Sequence, residues 1–219
     1  MQKQLLILFM GPSGSGKGTQ AKMISNEFGF NYIEMGGILR SEVKKQTDLG
    51  KEIDIIIHKE GKLVPDLMVK ELIKKVLIEN DHEKTIVLDG YPRTSQQVFD
   101  LDEILKAMDL NKEIVVFNIK ISDEEAMKRL TQRRICVGCK NVLPADSKDL
   151  NCPKCGGKLE HRSDDNPEKI QERLKWAHEK VEPAILEYKK RGVLEEINGE
   201  RPIEIVHKDI VGRLKNILS

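Results

Sequence analysis

A glycine-rich loop directly after a hydrophobic run constrains the fold of this chain more than any other feature. The run LLILFM, Leu5–Met10, precedes the loop GPSGSGKGTQ, Gly11–Gln20, and a helical pattern over Lys17–Phe28 follows. Small residues let backbone N–H groups close around phosphate oxygens, and the N-terminus of the next helix adds partial positive charge. A flexible surface turn is the alternative, but the strand before the loop and the position of the lysine favour a phosphate-binding loop.

The residue after the loop lysine departs from the general phosphate-loop pattern. That pattern, G-x-x-x-x-G-K-[ST], places Ser or Thr directly after the lysine. Here Gly18 follows Lys17, and Thr19 comes one position later. We expect Lys17 to reach the β- and γ-phosphates of a nucleotide. The loop by itself leaves three interpretations open: a damaged motif, a chance loop, or a particular kind of phosphate site.

Buried strands alternate with helical patterns along the chain. Besides Leu5–Met10, we predict strands at Thr85–Asp89, Glu113–Ile121 and Pro202–His207. Such alternation is typical of an α/β fold, in which helices cover both faces of a parallel sheet. Two segments, 34–64 and 133–163, interrupt the alternation, and we interpret them as lobes inserted into the α/β core.

Two helices carry clear start patterns. The segment SDEEAMKRL opens with a capping box, in which Ser122 is followed three residues later by Glu125. Asn166 is the predicted N-cap of a long helix, and Pro167 is its first residue. Pro183 is expected to kink or interrupt this long helix, because proline lacks the backbone N–H that the helix needs.

All four cysteines fall within the segment CVGCKNVLPADSKDLNCPKC. They form two C-x2-C pairs separated by twelve residues, namely Cys136, Cys139, Cys152 and Cys155. Two such pairs bring four thiolates within reach of one tetrahedral zinc ion. Two disulfides or free thiols are the alternatives, but the chain has no secretory features, which favours zinc. Gly156 and Gly157 suit the tight turn that the second pair needs.

Charge and hydropathy exclude several classes of function. The formal net charge is +1, and aromatic residues make up 4% of the chain, so no basic or aromatic surface for nucleic acid is expected. No apolar run approaches the roughly 18 residues that a membrane span needs. The six-residue run at Leu5–Met10 is shorter than the ~7–15 residues of a signal-peptide core. We therefore expect a cytoplasmic protein without nucleic-acid or membrane partners.

Arginine is used sparingly, since the chain has ten arginines beside 27 lysines. A guanidinium group binds phosphate oxygens through two parallel hydrogen bonds, which lysine cannot do. The alternative for any single arginine is a surface ion pair, but several arginines around one phosphate loop indicate a site for many phosphates. Arg129 and Arg133 are four residues apart and are expected to share a helix face. The candidate phosphate-binding arginines are Arg40, Arg93, Arg129, Arg133, Arg162 and Arg173.

Together these motifs resemble those of the adenylate kinases, within the nucleoside monophosphate kinases, in the form that carries a long zinc-bearing lid. The matching segments, in order, are GPSGSGKGT, EGKLVPD, LDGYPRTSQQ, KRLTQRR, RSDD and ERL. In that family the loop reads G-x-x-G-x-G-K-G-T, so a glycine after the lysine is the usual residue. The resemblance runs from the first predicted strand to the last.

The resemblance implies a three-layer phosphate-loop fold with a central parallel sheet and two inserted lobes. The core would comprise residues 1–33, 65–132 and 164–219, the monophosphate-binding lobe residues 34–64, and the zinc-binding lid residues 133–163. The implied reaction is ATP + AMP ⇌ 2 ADP with Mg²⁺, and the implied protein is a monomer whose partners are these nucleotides.

The resemblance also implies roles for individual residues. The catalytic residues would be Lys17, Arg93, Arg129, Arg133, Arg162 and Arg173. Those that bind ATP would be Gly14, Ser15, Gly16, Lys17, Gly18, Thr19, Arg129, Arg133 and Arg201. Those that bind AMP would be Met35, Arg40, Lys62, Leu63, Val64, Gly90, Tyr91, Pro92, Arg93, Gln97, Arg162 and Arg173. Asp89 would orient Mg²⁺ through bound water, and the four cysteines would hold a structural zinc ion.

Some of these positions have a second interpretation. Thr94 and Gln97 also fit a capping box, so Gln97 has a structural alternative to base contact. Asp164 and Asp165 fit helix capping as well as pairing with the site arginines. Trp176 is interpreted as a packing residue.

The chain departs from the family pattern near both bases. EMGG, Glu34–Gly37, stands where the family usually has STGD, Val142 and Leu143 stand where an aromatic residue is frequent, and Ser13 replaces a frequent proline. A UMP- or CMP-accepting kinase, or one that uses GTP, therefore remains an alternative, although Thr94 after Arg93 favours AMP. The alternatives from other classes are a zinc-ribbon ATPase that binds nucleic acid and a slowly hydrolysing nucleotide switch.

Overall fold

The computed structural model describes residues 4–59, 64–80, 82–143, 147–162 and 165–219. Five parallel strands form its central sheet, and they are β1 (Leu5–Met10), β2 (Asn31–Glu34), β3 (Ile86–Asp89), β4 (Glu113–Lys120) and β8 (Leu194–Asn198). Their order in the sheet is β2-β3-β1-β4-β8. The first strand therefore lies at the centre, and the loop that follows it opens at the middle of the carboxyl edge.

Helices surround this sheet. In chain order they are α1 (Lys17–Phe28), α2 (Met35–Lys45), α3 (Asp48–Asp54), α4 (Asp66–Glu79), α5 (Ser95–Ala107), α6 (Asp123–Gln132), α7 (Pro167–Trp176), α8 (Glu182–Lys190) and α9 (Ile203–Leu218). Two π-helical segments, Ile55–Lys59 and Ala177–Val181, continue α3 and α7. None of the helices in the described part of the chain is long and apolar enough to cross a membrane.

Alternate side chains of β1 enter two separate hydrophobic layers. Leu6 and Leu8 pack in the layer that contains α4, α5 and α8, whereas Leu5, Ile7 and Phe9 pack in the layer that contains α1 and α9. Every residue of this strand is buried, which explains why its sequence is continuously apolar rather than alternating. The predicted three-layer α/β fold with a central parallel sheet is confirmed.

The predicted last strand, Pro202–His207, is wrong. Residues from Ile203 onward form α9, and the last strand of the sheet is Leu194–Asn198, which pairs with β4. The segment PIEIVH alternates like a strand, but the buried residues of the helix, Val206, Ile210 and Leu214, are spaced by four. The longer segment therefore follows the helical period, and the short alternation at its start was misleading.

The predicted helix starts are confirmed, with one change of partner. The Ser122 hydroxyl accepts a hydrogen bond from the Glu125 N–H, as in a capping box. The returning carboxylate, however, belongs to Glu200, which accepts from the Ser122 N–H at 2.8 Å. The carboxylate of Glu125 instead pairs with Arg129. A residue of the distant β8–α9 loop therefore completes the cap that the local sequence assigns to Glu125.

The long helical segment near the C-terminus also begins as predicted. Asn166 caps α7 by accepting a hydrogen bond from the Lys169 N–H at 2.9 Å, and Pro167 is the first residue of the helix. The π-helical segment Ala177–Val181 separates α7 from α8, and Pro183 lies in the first turn of α8. The π-helical turn directly before the proline thus interrupts the α-helical hydrogen-bond pattern, as expected near a residue that cannot donate a backbone hydrogen bond.

A small antiparallel sheet carries the cysteine-rich segment. Its strands are β5 (Arg134–Cys136), β6 (Val142–Leu143) and β7 (Leu159–His161), in the order β6-β5-β7. The central strand pairs with both neighbours, through Ile135–Val142 on one side and Ile135–Glu160 on the other. These short strands join the two cysteine pairs into one compact unit.

Candidate active site

The glycine-rich loop joins β1 to α1 at the carboxyl edge of the sheet. Gly16 has a φ of 89° and is the N-cap of α1, so Lys17 is the first residue of the helix. Gly14 also has a positive φ, and a Cβ there would stand 3.1 Å from Cγ of Leu130 on α6. The loop can therefore keep its path only with glycine at these positions. It leaves the amino end of α1, with its unpaired N–H groups, facing the edge of the sheet.

Two polar side chains of the loop have hydrogen-bonding capacity that a phosphate could use. The Lys17 ammonium donates to the carbonyl of Pro12 at 3.0 Å, which folds the lysine back over the loop. The Ser15 hydroxyl is buried and has no hydrogen-bond partner among the described residues. A phosphate in the loop would give both groups additional acceptor oxygens.

The glycine after the lysine lies directly against Asp89. Asp89 ends β3, the neighbour of β1 in the sheet, and its register partner on β1 is Phe9. A Cβ at Gly18 would stand 2.7 Å from Oδ2 of Asp89, closer than side-chain atoms normally approach. A serine or threonine at this position would therefore displace the carboxylate. The hydroxyl-bearing residue of this chain, Thr19, comes one position later and is exposed.

Asp89 is held in a buried position by Tyr32. The Tyr32 hydroxyl donates to Oδ2 of Asp89 at 3.0 Å. Burial raises the pKa of Asp89, whereas the nearby Lys17 charge and the Tyr32 hydrogen bond oppose that rise. Tyr32 was not among the sequence-predicted site residues, because nothing in the local pattern of β2 distinguishes it from a packing residue.

Positive charges converge on this edge of the sheet. Burial, helped by the charges of Arg93, Arg133 and Arg173, lowers the pKa of Lys17 to about 8, while the charge of Asp89 acts in the opposite direction. Four cationic side chains from four separate segments are therefore close enough to influence one another. Positive charges this close together repel one another in the unliganded protein, and a polyanionic ligand relieves that repulsion.

A single buried carboxylate holds two of these arginines. Asp165, whose side chain has no exposed surface, accepts from Nε and Nη2 of Arg133 at 2.7 and 2.6 Å and from Nη1 of Arg173 at 3.0 Å. Arg133 lies one residue beyond the end of α6, so the expected shared helix face with Arg129 is wrong. The predicted pairing of Asp165 with site arginines is confirmed, whereas Asp164 lies outside the described residues.

Arg93 is fixed by the turn that follows β3. Its Nε donates to the carbonyl of Gly90 at 2.8 Å, and Gly90 has a φ of 79°. This positive φ favours glycine, and a Cβ at Gly90 would stand 2.9 Å from Nη2 of Arg93 and would push the guanidinium group from its place. Burial lowers the pKa of Arg93. Tyr91 and Pro92 complete the turn and are buried.

Both polar ends of the Gln97 side chain make hydrogen bonds within the protein. Its side-chain carbonyl accepts from the Arg93 N–H at 2.8 Å, and its amide donates to Asp66 at 2.6 Å. Thr94 accepts from the Gln97 N–H and donates to the same Asp66 carboxylate. Thr94 therefore caps α5, but the returning bond of the predicted capping box comes from the N–H of Arg93 instead of Thr94. Contact of Gln97 with a base remains a prediction, and Asp66 is a member of the network that the sequence did not reveal.

Other predicted nucleotide-binding residues lie on neighbouring segments. Met35 and Val64 are buried in the hydrophobic core, whereas Lys62 and Leu63 lie outside the described residues. Arg40 on α2 pairs with Glu34, with 2.7 Å between Nη2 and Oε1. Arg162 directly follows β7 and is partly buried.

Arg201, in the loop between β8 and α9, is held by contacts with the end of β8 and with α9. Its Nε donates to the carbonyl of Asn198 at 3.1 Å, and its Nη2 pairs with Asp209 on α9. Arg213 pairs with the other oxygen of the same carboxylate. The side chain of Arg201 therefore anchors the β8–α9 loop, and this leaves the backbone as the part of Arg201 suited to meet a ligand.

The four cysteine sulfurs form one cluster. All four Sγ atoms lie within 4.8 Å of one another, with 3.4 Å between Cys136 and Cys155 and 3.6 Å between Cys139 and Cys152. Four thiolates at ~2.3 Å from a tetrahedral zinc ion would be about 3.8 Å apart, so the set fits zinc. The four are free cysteines, so the disulfide alternative is wrong here. A Cβ at Gly157 would stand 2.9 Å from Sγ of Cys136, which explains the glycine after the second pair.

The sequence model of the adenylate kinase family matches residues 9–193. The chain belongs to the adenylate kinase family. Adenylate kinases of Archaeoglobus fulgidus and Staphylococcus aureus strain Mu50 are 42% and 38% identical to it, and the alignments cover 97% and 96% of this chain and 99% of each relative. The resemblance inferred from the motifs is confirmed. Membership makes the chain a nucleotide-binding transferase that carries a phosphoryl group from ATP to AMP.

Proposed function

We propose that the chain catalyses ATP + AMP ⇌ 2 ADP at the carboxyl edge of its central sheet, between the glycine-rich loop and the arginine cluster. The observation that carries this assignment is the convergence of Lys17, Arg93, Arg133 and Arg173 beside the amino end of α1. Phosphoryl transfer needs alignment of the two nucleotides and stabilisation of charge on the equatorial oxygens, and this cluster supplies both. No nucleophilic side chain is required, because an oxygen of the acceptor phosphate attacks.

The donor side of the site comprises the glycine-rich loop, the carboxyl end of α6 and the loop between β8 and α9. Backbone N–H groups of residues 14–19 surround the β- and γ-phosphates, and the partial positive charge at the amino end of α1 adds to the charge of Lys17. Arg133 and Arg129, at the carboxyl end of α6, close over the same phosphates. The backbone at Arg201 meets the adenine, since the side chain of Arg201 is already engaged with Asn198 and Asp209.

The acceptor side comprises α2, the turn after β3 and the start of α7. Arg40, Arg93, Arg162 and Arg173 bind the acceptor phosphate and the transferring group. Rigid placement of Arg93 by Gly90, and of Arg173 by Asp165, lowers the conformational entropy lost on binding. The residues that line the acceptor base are Met35, Lys62, Leu63, Val64, Gly90, Tyr91, Pro92 and Gln97.

Asp89 is the proposed magnesium-orienting group. Its carboxylate stands beside the helix start where other phosphate loops carry a hydroxyl, because Gly18 leaves that space to it. A divalent cation bound to ATP would neutralise charge on the β- and γ-phosphates and would be oriented by this carboxylate through water. Tyr32 fixes the direction in which the carboxylate points.

Two lobes, 34–64 and 133–163, are proposed to close over the nucleotides and exclude water, which would otherwise hydrolyse ATP. Zinc bound by the four cysteines holds the second lobe together. Its three strands contain eight residues in all, of which only Cys136 and Leu143 are buried. A segment with so little buried apolar surface needs a metal for a stable fold.

The decisive experiment is chromatographic measurement of ADP formed from ATP alone, from AMP alone and from both together with Mg²⁺. We expect ADP only when both nucleotides are present, with two ADP formed for each ATP consumed. ADP formed from ATP without AMP would overturn the proposal in favour of an ATPase. The same assay with GTP as donor and with UMP, CMP and GMP as acceptors tests the base preference.

A further inference from the structure

We propose that Glu34 is a positioning residue for Arg40, whose carboxylate holds the Arg40 guanidinium in the unliganded enzyme and competes with the acceptor phosphate for it. The inference rests on the proposed function, which assigns Arg40 to that phosphate. The inference adds the negatively charged Glu34, which lowers the affinity of Arg40 for the acceptor phosphate.

The first observation is the place of Glu34 in the sheet. Glu34 is the last residue of β2, and its register partner on β3 is Asp89. It is also the N-cap of α2, yet its side chain makes no capping hydrogen bond. The carboxylate reaches instead across the first turn of α2 to Nη2 of Arg40, at 2.7 Å. Glu34 therefore neighbours Asp89 in the sheet and pairs with Arg40 through its side chain.

The second observation is the pair of glycines over which this ion pair lies. A Cβ at Gly36 would stand 3.0 Å from Nη1 of Arg40 and 3.3 Å from Oε1 of Glu34. A Cβ at Gly37 would stand 3.5 Å from Oε2 of Glu34. Because neither glycine has a side chain, the Glu34 carboxylate and the Arg40 guanidinium can approach each other over the first turn of α2. A side chain at Gly37 would therefore begin in van der Waals contact with the carboxylate of Glu34.

The third observation is the exposure of the pair. The side chains of Arg40 and Glu34 are 54% and 42% exposed, so water and salt screen their attraction. A phosphate offers the guanidinium two charge-assisted hydrogen bonds and more negative charge than a carboxylate does. The acceptor phosphate can therefore replace Glu34 on Arg40. Because the phosphate must break the Glu34–Arg40 ion pair before it can bind the guanidinium group, Glu34 weakens acceptor binding.

The test compares steady-state kinetics of the wild type, Glu34→Gln and Glu52→Gln. We expect Glu34→Gln to lower KM for AMP about two- to fivefold, the range that the loss of an exposed ion pair allows, with kcat and KM for ATP unchanged. Glu52 is an exposed residue of α3 in the same segment of the chain, and its variant removes the same charge without touching Arg40. It should leave KM for AMP unchanged, and Glu34→Asp should behave like the wild type.

A double-mutant cycle with Arg40→Gln separates this inference from the proposed function. If Glu34 acts through Arg40, Glu34→Gln has no effect on KM for AMP in the Arg40→Gln background. An unchanged or higher KM for AMP in Glu34→Gln, while Arg40→Gln alone raises it, overturns the role of Glu34 only. If Arg40→Gln leaves KM for AMP unchanged, the assignment of Arg40 to the acceptor phosphate itself is wrong.

Discussion

Asp89 leaves no room for a side chain at Gly18, because its Oδ2 lies 2.7 Å from the point where a Cβ would stand. This contact explains the departure of the loop from the general phosphate-loop pattern. The hydroxyl of that pattern is replaced by a carboxylate from the neighbouring strand, which Tyr32 holds in place. The packing of β3 against the start of α1 thus favours glycine after the lysine, because a side chain there would push the Asp89 carboxylate from its place.

Gly18→Ala should therefore impair catalysis. The new methyl group displaces the Asp89 carboxylate and breaks its hydrogen bond to Tyr32, so we expect kcat to fall about tenfold or more, an effect of misplacing a catalytic group. The Mg²⁺ concentration for half-maximal rate should rise as well. Gly212→Ala is the matched control, because a Cβ there meets open space on α9. A Gly18→Ala variant with wild-type kcat and Mg²⁺ dependence would show that the contact has no mechanistic meaning.

Asp165→Asn should destabilise the protein and reduce activity together. The buried carboxylate neutralises Arg133 and Arg173, and its loss leaves two guanidinium groups without that partner. We expect the free energy of unfolding to fall by about 3 kcal/mol, as for other broken buried ion pairs. Denaturant unfolding and kcat measure the two effects. Added ATP should restore more stability to the variant than to the wild type, because its phosphates bind the released arginines.

The control for that variant is Asp102→Asn. Asp102 makes a two-pronged pair with Arg191, but the pair is on the surface, with side chains 39% and 31% exposed. We expect its loss to cost less than about 1 kcal/mol and to leave kcat unchanged. Equal losses of stability in the two variants would contradict a special role for the buried carboxylate.

Deprotonation of Lys17, the lysine of the loop, should reduce the activity of the enzyme at alkaline pH. Because burial and the nearby arginines lower the pKa of Lys17 to about 8, the unliganded enzyme loses this charge above that pH. Phosphate oxygens favour the protonated form, so kcat/KM for ATP should fall above about pH 8 and ATP binding there should take up protons. Titration calorimetry at pH 8.5, in buffers of different ionisation enthalpy, measures that uptake.

Lys17→Met is the comparison for the pH experiment, and it should show no such proton uptake. Uptake of the same size in the variant would assign the protons to another group.

The lowered pKa of Lys17 also predicts how the folding stability of the protein changes with pH. Between pH 8 and 10.5 the unfolded chain holds a proton on this lysine that the folded chain has lost, so the contribution of Lys17 to stability rises with pH in that window.

Removal of metal should unfold the cysteine-rich segment while the core stays intact. With a strong chelator we expect a lower melting temperature and faster amide hydrogen exchange in residues 134–161, because the small sheet has little apolar surface of its own. Cys152→Ser should reproduce this effect and reduce the bound zinc measured by atomic absorption. A stripped enzyme that keeps its melting temperature but loses its chemical step would show that the metal serves catalysis instead.

Much of the local structure could be predicted from the sequence because short-range rules control it. The apolar run, the glycines and the lysine predict β1, the loop and α1, and Asn166 with Pro167 predicts the start of α7. Local rules failed where a longer segment or a distant residue decided the outcome. Ile203–Leu218 is helical because its buried residues follow a period of four, and Glu200 rather than Glu125 completes the cap at Ser122.

The sequence by itself determined the family, the phosphate loop, the arginines and the four metal-ligand candidates, since each is a pattern of residue types at short spacing. Only the tertiary structure decided which of them meet. Parallel strand register brings Asp89 beside Gly18 and Tyr32, and the packing of α7 against α6 brings Asp165 between Arg133 and Arg173. Apart from the Asp165–Arg173 pair, these contacts join residues far apart in the chain. No local pattern encodes them, because their distances depend on how whole strands and helices pack.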